Sequence, residues 1–267
     1  MDLRLQGKRA LVTGGSRGIG KAIALVLAQE GVDVALLARS PATLASAAAE
    51  LAAATGRRVV GVCADTTDAA QVQAAVASAV QALGGAIDIL VNAAAEPAGF
   101  AAPPTITQIE AGQFQAEMDT KVMGYLRCAQ AVVGGMQAQG WGRIVNISGL
   151  AARQTGNAIG SMRNVAVAAL TKNMADELGP LGINVTVVHP GLTRTERTAP
   201  LLAARAAATG VPAAELEAQM AAGNAIRHLV DASEVADVVA FLCSPRSRAI
   251  NGDAIAAGGG VPKAIHY

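Results

Sequence analysis

Residues 13–20 read Thr-Gly-Gly-Ser-Arg-Gly-Ile-Gly, between an apolar run at 10–12 and apolar positions 19, 23 and 27 at helical spacing. This order predicts a strand, a glycine turn and a helix. Gly14 suits a left-handed turn, Gly18 admits a pyrophosphate, and Gly20 lets the helix pack closely on the strand. The helix N-terminus favours an anion at the turn. The stretch therefore predicts a dinucleotide site. Its spacing, G-x-x-x-G-x-G, differs from the commoner G-x-G-x-x-G, and an ordinary glycine-rich turn is the alternative.

Strand-like and helix-like patterns alternate along the rest of the chain. Such alternation is typical of right-handed β-α-β units in a parallel sheet. The predicted strands are residues 10–13, 32–38, 59–63, 87–91, 143–147, 183–188 and 253–257. We therefore expect an α/β fold, a Rossmann-like, doubly wound parallel sheet of about seven strands with helices on both faces. Residues 1–267 are predicted to form one domain.

Residues 193–227 do not fit this alternation. The segment is rich in Ala, contains Pro200 and Pro212, and begins directly after the turn at Pro190-Gly191. Because the ligand crevice of such sheets lies at the carboxyl ends of the strands, we interpret the segment as a substrate lid. A surface helical insertion is the alternative.

The composition restricts the kinds of partner. Of the 267 residues 52% are hydrophobic and only 2% aromatic, and the formal net charge is +1. No basic run points to nucleic acid or an anionic membrane, so a small-molecule substrate is expected. Three scattered cysteines lie outside any C-x-x-C, and no apolar run is long enough to span a membrane. These features predict a cytoplasmic protein without a structural metal.

The end of the second strand indicates which dinucleotide is bound. It reads Leu36-Leu37-Ala38-Arg39-Ser40, with no acidic residue to accept from a ribose 2′-hydroxyl. Arg39 and Arg17 instead offer guanidinium groups, which match the oxygens of a 2′-phosphate. NADP(H) is therefore expected in preference to NAD(H). Two solvated surface arginines are the alternative.

The chain resembles the short-chain dehydrogenase/reductases over essentially its whole length. The resemblance rests on residues 13–20, Asp65, residues 90–94, Asn184-Val185, Pro190-Gly191 with Thr195, and Asn251-Gly252 with Gly258-Gly259. It implies that Asp65 binds adenine, that Asn92 supports the strand end beside the cofactor, and that Pro190-Gly191 with Thr195 holds the nicotinamide carboxamide. The predicted cofactor-binding residues are Gly14, Ser16, Arg17, Gly18, Ile19, Gly20, Arg39, Ser40, Asp65, Asn92, Pro190, Gly191 and Thr195. The resemblance also implies a homodimer or homotetramer that pairs through the helix predicted at 159–178 and the helix before it.

The catalytic positions depart from the family's pattern. That pattern has a Tyr, a Lys four residues later, a Ser and an Asn on the preceding helix. Aligned through Thr171-Lys172 and Pro190-Gly191, the Tyr position falls on Gly160 and the Lys position on Asn164. The Ser position falls on Gly149 or its neighbour Ser148, and the Asn position falls on Lys121. No shift restores the Tyr, because the only tyrosines are Tyr125 and Tyr267.

Three side chains near the vacant position are candidate replacements. Lys121 ranks first, because a desolvated Lys titrates low enough for proton transfer, and Ser148 ranks second. Arg163 can bind a carbonyl but hardly donates its proton. A solvated or interface Lys is the alternative for Lys121, and an interface or phosphate contact is the alternative for Arg163. Tyr125 lies about one helical turn after Lys121.

His189 is a lone histidine at a strand end. Structural burial is the preferred interpretation of it over a role as general base.

These observations leave three hypotheses. The first is an NADP(H)-dependent oxidoreductase with a rearranged active site, acting on a carbonyl, alcohol or enoyl group. The second is a non-catalytic NADP(H)-binding sensor or scaffold, suggested by the joint loss of the Tyr and Lys. The third, non-redox chemistry on the same fold, is disfavoured by the intact glycine turn.

Overall fold

The computed structural model describes residues 1–95 and 103–262. Nine strands are present in these ranges: β1 Arg9–Thr13, β2 Asp33–Ala38, β3 Val59–Cys63, β4 Ile89–Asn92, β5 Gly142–Ile147, β6 Ile183–Pro190, β7 Thr193–Arg194, β8 Val230–Asp231 and β9 Ala254–Ala257. The α-helices are α1 Gly18–Gln29, α2 Pro41–Thr55, α3 Ala69–Leu83, α4 Ala111–Met118, α5 Gly124–Gln139, α6 Ala158–Leu178, α7 Thr198–Thr209, α8 Ala213–Ala221 and α9 Ala232–Cys243. A π-helical turn, Asp119–Met123, joins α4 to α5.

Seven strands form one parallel sheet in the order β3-β2-β1-β4-β5-β6-β9. The strands are nearly continuous apolar runs because both faces of the sheet are covered. In β1, for example, Ala10, Leu11 and Val12 are fully buried. The strand order reverses between β1 and β4, and ligands of open α/β sheets bind outside the carboxyl ends of the strands at such a point.

Helices cover both faces of the sheet. Side chains of α1, α2 and α9 pack on one face, with Ile23, Leu27 and Val239 fully buried. Side chains of α3, α5 and α6 pack on the other face. The predicted fold class and its seven-stranded sheet are therefore confirmed.

Some predicted element ends differ from the structure. β4 begins at Ile89 rather than 87, although the backbone of Asp88 already bonds to Arg9 and Arg143 of the neighbouring strands. β6 continues to Pro190, where it still pairs with Ala257 of β9. Among the described residues, no helix combines the length and hydrophobicity that crossing a membrane requires.

Candidate functional site

A cleft of about 1030 Å³ runs along the carboxyl ends of the strands. This volume is at the upper end of the roughly 300–1,000 Å³ typical of small-molecule sites, so it has room for an extended ligand. The predicted cofactor residues that line it are Gly14, Ser16, Arg17, Gly18, Ile19, Gly20, Arg39, Ser40, Asp65, Pro190, Gly191 and Thr195. Lys121, Ser148 and Arg163, the three candidate catalytic residues, line it as well.

The glycine turn is closed by backbone contacts that admit no side chain. Gly14 has φ +65°, and a Cβ built on it would lie 2.8 Å from the carbonyl oxygen of Ala93. A Cβ on Gly20 would lie 2.4 Å from the carbonyl oxygen of Gly14. The hydroxyl oxygen of Thr13 accepts from the backbone N–H groups of Ala93, at 3.0 Å, and Ala94, at 3.1 Å. The turn is therefore held both against α1 and against the end of β4.

A carboxylate from the segment after β6 already meets this turn. The backbone N–H of Gly18 donates to Glu196, at 2.9 Å to Oε1 and 3.2 Å to Oε2. Gly18 is the first residue of α1, where the positive end of the helix dipole favours an anion. Glu196 thus occupies the anion position that the sequence predicts for a pyrophosphate.

The far end of the cleft holds Arg39, Ser40 and Asp65. The hydroxyl oxygen of Ser40 caps α2 by accepting from the backbone N–H of Thr43 at 3.4 Å. The carboxylate of Asp65 accepts from the backbone N–H of Thr67 at 2.9 Å and from its hydroxyl at 2.8 Å. These local bonds fix both side chains at the ends of β2 and β3.

Asn92 lies beneath the cleft, not on its wall. It is fully buried, and its Nδ2 donates to Oδ1 of Asn146 at 2.9 Å and to the carbonyl oxygen of Tyr125 at 3.3 Å. Asn146 in turn donates to the hydroxyl oxygen of Thr171 at 2.9 Å. Asn92 therefore links β4 to β5 and α5. It can influence a bound cofactor only indirectly, by fixing the positions of these strand ends.

Lys121 is buried in the wall of the cleft, at the end that holds the three candidate catalytic residues and is called the catalytic end below. It sits in the π-helical turn with 4% of its surface exposed. Nζ donates to the carbonyl oxygen of Ser148 at 2.9 Å and to Oδ1 of Asn164 at 3.0 Å. Burial, together with a smaller contribution from the nearby Arg163 and against partial opposition from Glu117, lowers the pKa of Lys121 to about 7. Both hydrogen-bond acceptors are neutral, so neither compensates the ammonium charge.

The other two candidate catalytic side chains are held by partners. The hydroxyl of Ser148 donates to the backbone carbonyl of Asn164 at 3.0 Å. The guanidinium of Arg163 forms an ion pair with the carboxylate of Glu117 on α4.

Tyr125 and His189 face the interior. The hydroxyl of Tyr125 donates to the carbonyl oxygen of Ile147 at 2.8 Å, and burial raises its pKa. Tyr125 is therefore a core residue, although it follows Lys121 by one turn. Burial lowers the pKa of His189 to about 4, with smaller contributions from Arg153 and Lys121, so the ring is neutral. Tyr267 lies outside the described residues.

The short chain dehydrogenase family model matches residues 8–206. The protein belongs to the short-chain dehydrogenase family.

Named relatives match nearly the whole chain. The short-chain reductase protein NovJ of Streptomyces niveus is 33% identical over 95% of this chain and 93% of its own length. A 3-oxoacyl-[acyl-carrier-protein] reductase of Vibrio cholerae is also 33% identical, over 97% of this chain and 99% of its own. The crystal structure of L-sorbose reductase from Gluconobacter frateurii, complexed with NADPH and L-sorbose, superposes with a TM-score of 0.91. It is 31% identical and covers 99% of this chain and 100% of that one.

In this short-chain dehydrogenase, the α6 positions that the sequence alignment assigns to Tyr and Lys both line the cleft. Gly160 lies in the first turn of α6, and Asn164 lies one turn later with its amide oxygen on Lys121. A Cβ on Gly149 would lie 3.0 Å from Nδ2 of Asn164, so a larger residue at 149 would meet this amide. The assignment of Gly160 and Asn164 to the two catalytic positions stays a prediction.

Three residues of the site escaped the sequence analysis. Glu196 contacts Gly18 across 178 positions of the chain, and Glu117 pairs with Arg163 from another helix. Asn157 caps α6, since its Oδ1 accepts from the backbone N–H of Gly160 at 2.8 Å. Of these three residues, only Asn157 could have been predicted from its neighbours in the sequence, because an Asn directly before a helical pattern is a preferred N-cap residue.

Proposed function

We propose that this protein is an NADP(H)-dependent oxidoreductase that reduces a carbonyl group, with Lys121 in place of the family's tyrosine as proton donor. The observation that carries the proposal is Lys121 itself, a buried Lys in the cleft wall whose pKa is lowered to about 7. A general acid works best when its pKa lies near the working pH. A Lys at its ordinary pKa of 10.5 would be a weaker acid at neutral pH.

NADP(H) is the proposed cofactor. A dinucleotide suits the cleft, because the N-terminus of α1 offers the N–H of Gly18 to a pyrophosphate once the carboxylate of Glu196 is displaced from it. Arg17 and Arg39 line the end at which a 2′-phosphate would lie, and no acidic residue follows β2. The bound NADPH of the similar L-sorbose reductase supports this choice.

The proposed chemistry divides between cofactor and protein. NADPH, when bound, supplies a hydride to the carbonyl carbon. The ammonium of Lys121 has three N–H donors, and two of them are committed to Ser148 and Asn164. The third has no acceptor among the described residues, and Lys121 lines the cleft, so the proposed role of Lys121 is to pass a proton to the carbonyl oxygen as negative charge develops there. Ser148 and Asn164 hold Nζ in place for this transfer.

The test is NADPH oxidation with L-sorbose, 2,3-butanedione, an acetoacetyl thioester and a crotonyl thioester as substrates. Lys121→Met is expected to lower kcat by about 100-fold or more, since general acid catalysis contributes about 10²–10⁴-fold. The wild-type rate should fall above pH 7, where Lys121 loses its proton. Lys172→Met, which removes an exposed Lys of α6 paired with Asp176, serves as the matched control. Equal rates for Lys121→Met and the control would refute the role of Lys121.

A non-catalytic NADP(H)-binding protein is the second candidate. The engaged hydroxyl of Ser148 favours it, because that oxygen already donates to Asn164 and not toward the cleft. Fluorescence titration with NADPH and NADH separates the two candidates. Tight NADPH binding without turnover of any of the four substrates would favour a sensor or scaffold. Equal affinity for NADPH and NADH would contradict the cofactor assignment.

We further propose that residues 193–227 act as the substrate lid of a single domain. The segment contains α7 and α8 and is anchored where β7 pairs with β8. Leu201 and Met220 from these helices line the cleft opposite α6. Both side chains would then contact substrate, which makes this segment the proposed source of specificity.

A homo-oligomer is proposed through α5 and α6. Met162 and Val165 on α6 are 46% and 50% exposed, and Met123 directly before α5 is 43% exposed. Such exposed apolar side chains suit a partner helix. Light scattering that gives the mass of a monomer would contradict this pairing.

A further inference from the structure

Asn157 lies against the bare backbone of Gly160, just outside the first turn of α6. A Cβ built on Gly160 would lie 2.9 Å from Cγ of Asn157 and 2.9 Å from its Nδ2. The place where a side chain at position 160 would begin is thus filled by the amide of Asn157. Both residues line the cleft.

The amide of Asn157 is fixed in orientation by its cap. Oδ1 accepts from the backbone N–H of Gly160 at 2.8 Å, so the oxygen faces the helix and Nδ2 is the remaining polar atom. Nδ2 donates to none of the residues in the described ranges 1–95 and 103–262, and Asn157 is exposed to the cleft. A donor is therefore held beside the position from which the family's tyrosine would project.

We infer that Nδ2 of Asn157 binds the carbonyl oxygen of the substrate, an aldehyde or ketone. The inference rests on the proposed function and adds a second contact to it. Bound NADPH would supply the hydride and become NADP⁺; as the hydride adds to the carbonyl carbon, the carbonyl π electrons move to oxygen, which takes a proton from Nζ of Lys121, and the neutral Lys121 is reprotonated from solvent. Asn157 keeps both of its amide protons, and its hydrogen bond strengthens as charge develops on the oxygen. Lys121 and Asn157 thus divide what one tyrosine hydroxyl would do, proton transfer and orientation.

Two variants of Asn157 remove the donor and keep the cap. Asp and Ser are both preferred N-cap residues, so Asn157→Asp and Asn157→Ser retain an acceptor for the Gly160 N–H. Gln154→Glu makes the same change from amide to carboxylate at another exposed residue of the cleft wall and is the matched control. Thermal unfolding of all the variants should coincide with the wild type within a few degrees.

The first readout is NADPH-dependent reduction of 2,3-butanedione and L-sorbose. Both Asn157 variants are expected to lower kcat/KM by about 100-fold, since losing one donor to a developing oxyanion costs about 10²–10³-fold. The NADPH dissociation constant should stay unchanged, and Gln154→Glu should stay near the wild type. Unchanged kcat/KM in the Asn157 variants would overturn the inference and leave the proposed function intact. Absence of turnover in the wild type would instead overturn the proposed function.

The second readout needs no turnover. With NADP⁺ bound, 2,3-butanedione forms a complex that cannot react, and the ¹⁵N side-chain amide resonance of Asn157 is assigned by its loss in Asn157→Asp. The resonance is expected to shift as 2,3-butanedione is added to the NADP⁺ complex. A resonance that does not move, whatever the rates show, would assign Asn157 a purely structural role as a cap and overturn the inference.

Discussion

The two ends of the cleft are built by different means. The nucleotide end is made of backbone: Gly14 and Gly20 let two chain segments touch, and the N-terminus of α1 faces the ligand. The catalytic end is made of buried side chains, with the ammonium of Lys121 held by Ser148 and Asn164. A backbone site tolerates almost no substitution at its glycines, whereas a side-chain site can exchange its reactive group and keep the same fold.

The largest expected effect concerns the catalytic end and the free energy of unfolding. The pKa of Lys121 is about 7 in the folded protein and 10.5 without burial, so between these values the unfolded chain binds a proton that the folded protein lacks. Stability should therefore rise with pH across this window. The expected rise is roughly 3 kcal/mol between pH 7 and 9.5. Lys121→Met should abolish this contribution, as measured by urea unfolding of both proteins at several pH values.

The difference in pH-dependent stability between the wild type and Lys121→Met isolates the contribution of Lys121. Burial raises the pKa of Cys128 and Cys243 to about 12, so these thiols reduce stability at high pH, but they do so in both proteins. A constant difference between wild type and Lys121→Met from pH 7 to 9.5 would show that Lys121 is not buried as described.

The next effect concerns the nucleotide end. Gly20→Ala places a methyl group 2.4 Å from the carbonyl oxygen of Gly14, so the turn must shift. We expect NADPH binding to weaken by about tenfold to a hundredfold, because overpacking typically costs about 1–3 kcal/mol. Gly134→Ala on α5, where a Cβ meets nothing within 4 Å, is the control. The pH dependence of stability should survive in Gly20→Ala, and its loss would show that the two ends are not independent.

The smallest expected effect is on NADPH affinity and concerns Glu196, which lies at the nucleotide end of the cleft. Its carboxylate accepts from the Gly18 N–H that a pyrophosphate would use, so it competes with the cofactor and repels it. Glu196→Gln should tighten NADPH binding by about twofold to fivefold, since a charge at a helix N-terminus is worth about 0.3–1 kcal/mol. Glu215→Gln, which makes the same change on the exposed surface of α8, should leave the NADPH affinity unchanged. Weaker binding by Glu196→Gln, measured by fluorescence titration, would mean that Glu196 supports the cofactor.

The same contrast explains what the sequence could predict. The turn at 13–20 was predictable because its requirement is local: glycines between a strand and a helix admit few other conformations. The seven strands were predictable because buried parallel strands are apolar throughout. Lys121 became a candidate only through alignment to a family pattern, since no motif near it in the chain predicts that its side chain lines a cleft. Glu196 and Glu117 could not be found, because their partners are distant in sequence and a carboxylate on a helix or loop is ordinarily solvated.

Lys121 lies in a π-helical turn, so the direction of its side chain depends on the number of residues in that turn. There the backbone N–H of Gly124 reaches the carbonyl oxygen of Asp119, five residues back, so the turn holds one residue more than an α-helix would. Deleting Val122 or Met123 would remove the extra residue and let α4 and α5 merge into one regular helix. With 3.6 residues per turn, the loss of one residue rotates the preceding part of the helix, which includes Lys121, by about 100° relative to the part that follows. We therefore expect such a deletion to turn the ammonium of Lys121 away from Ser148 and Asn164 without removing any side chain that lines the cleft.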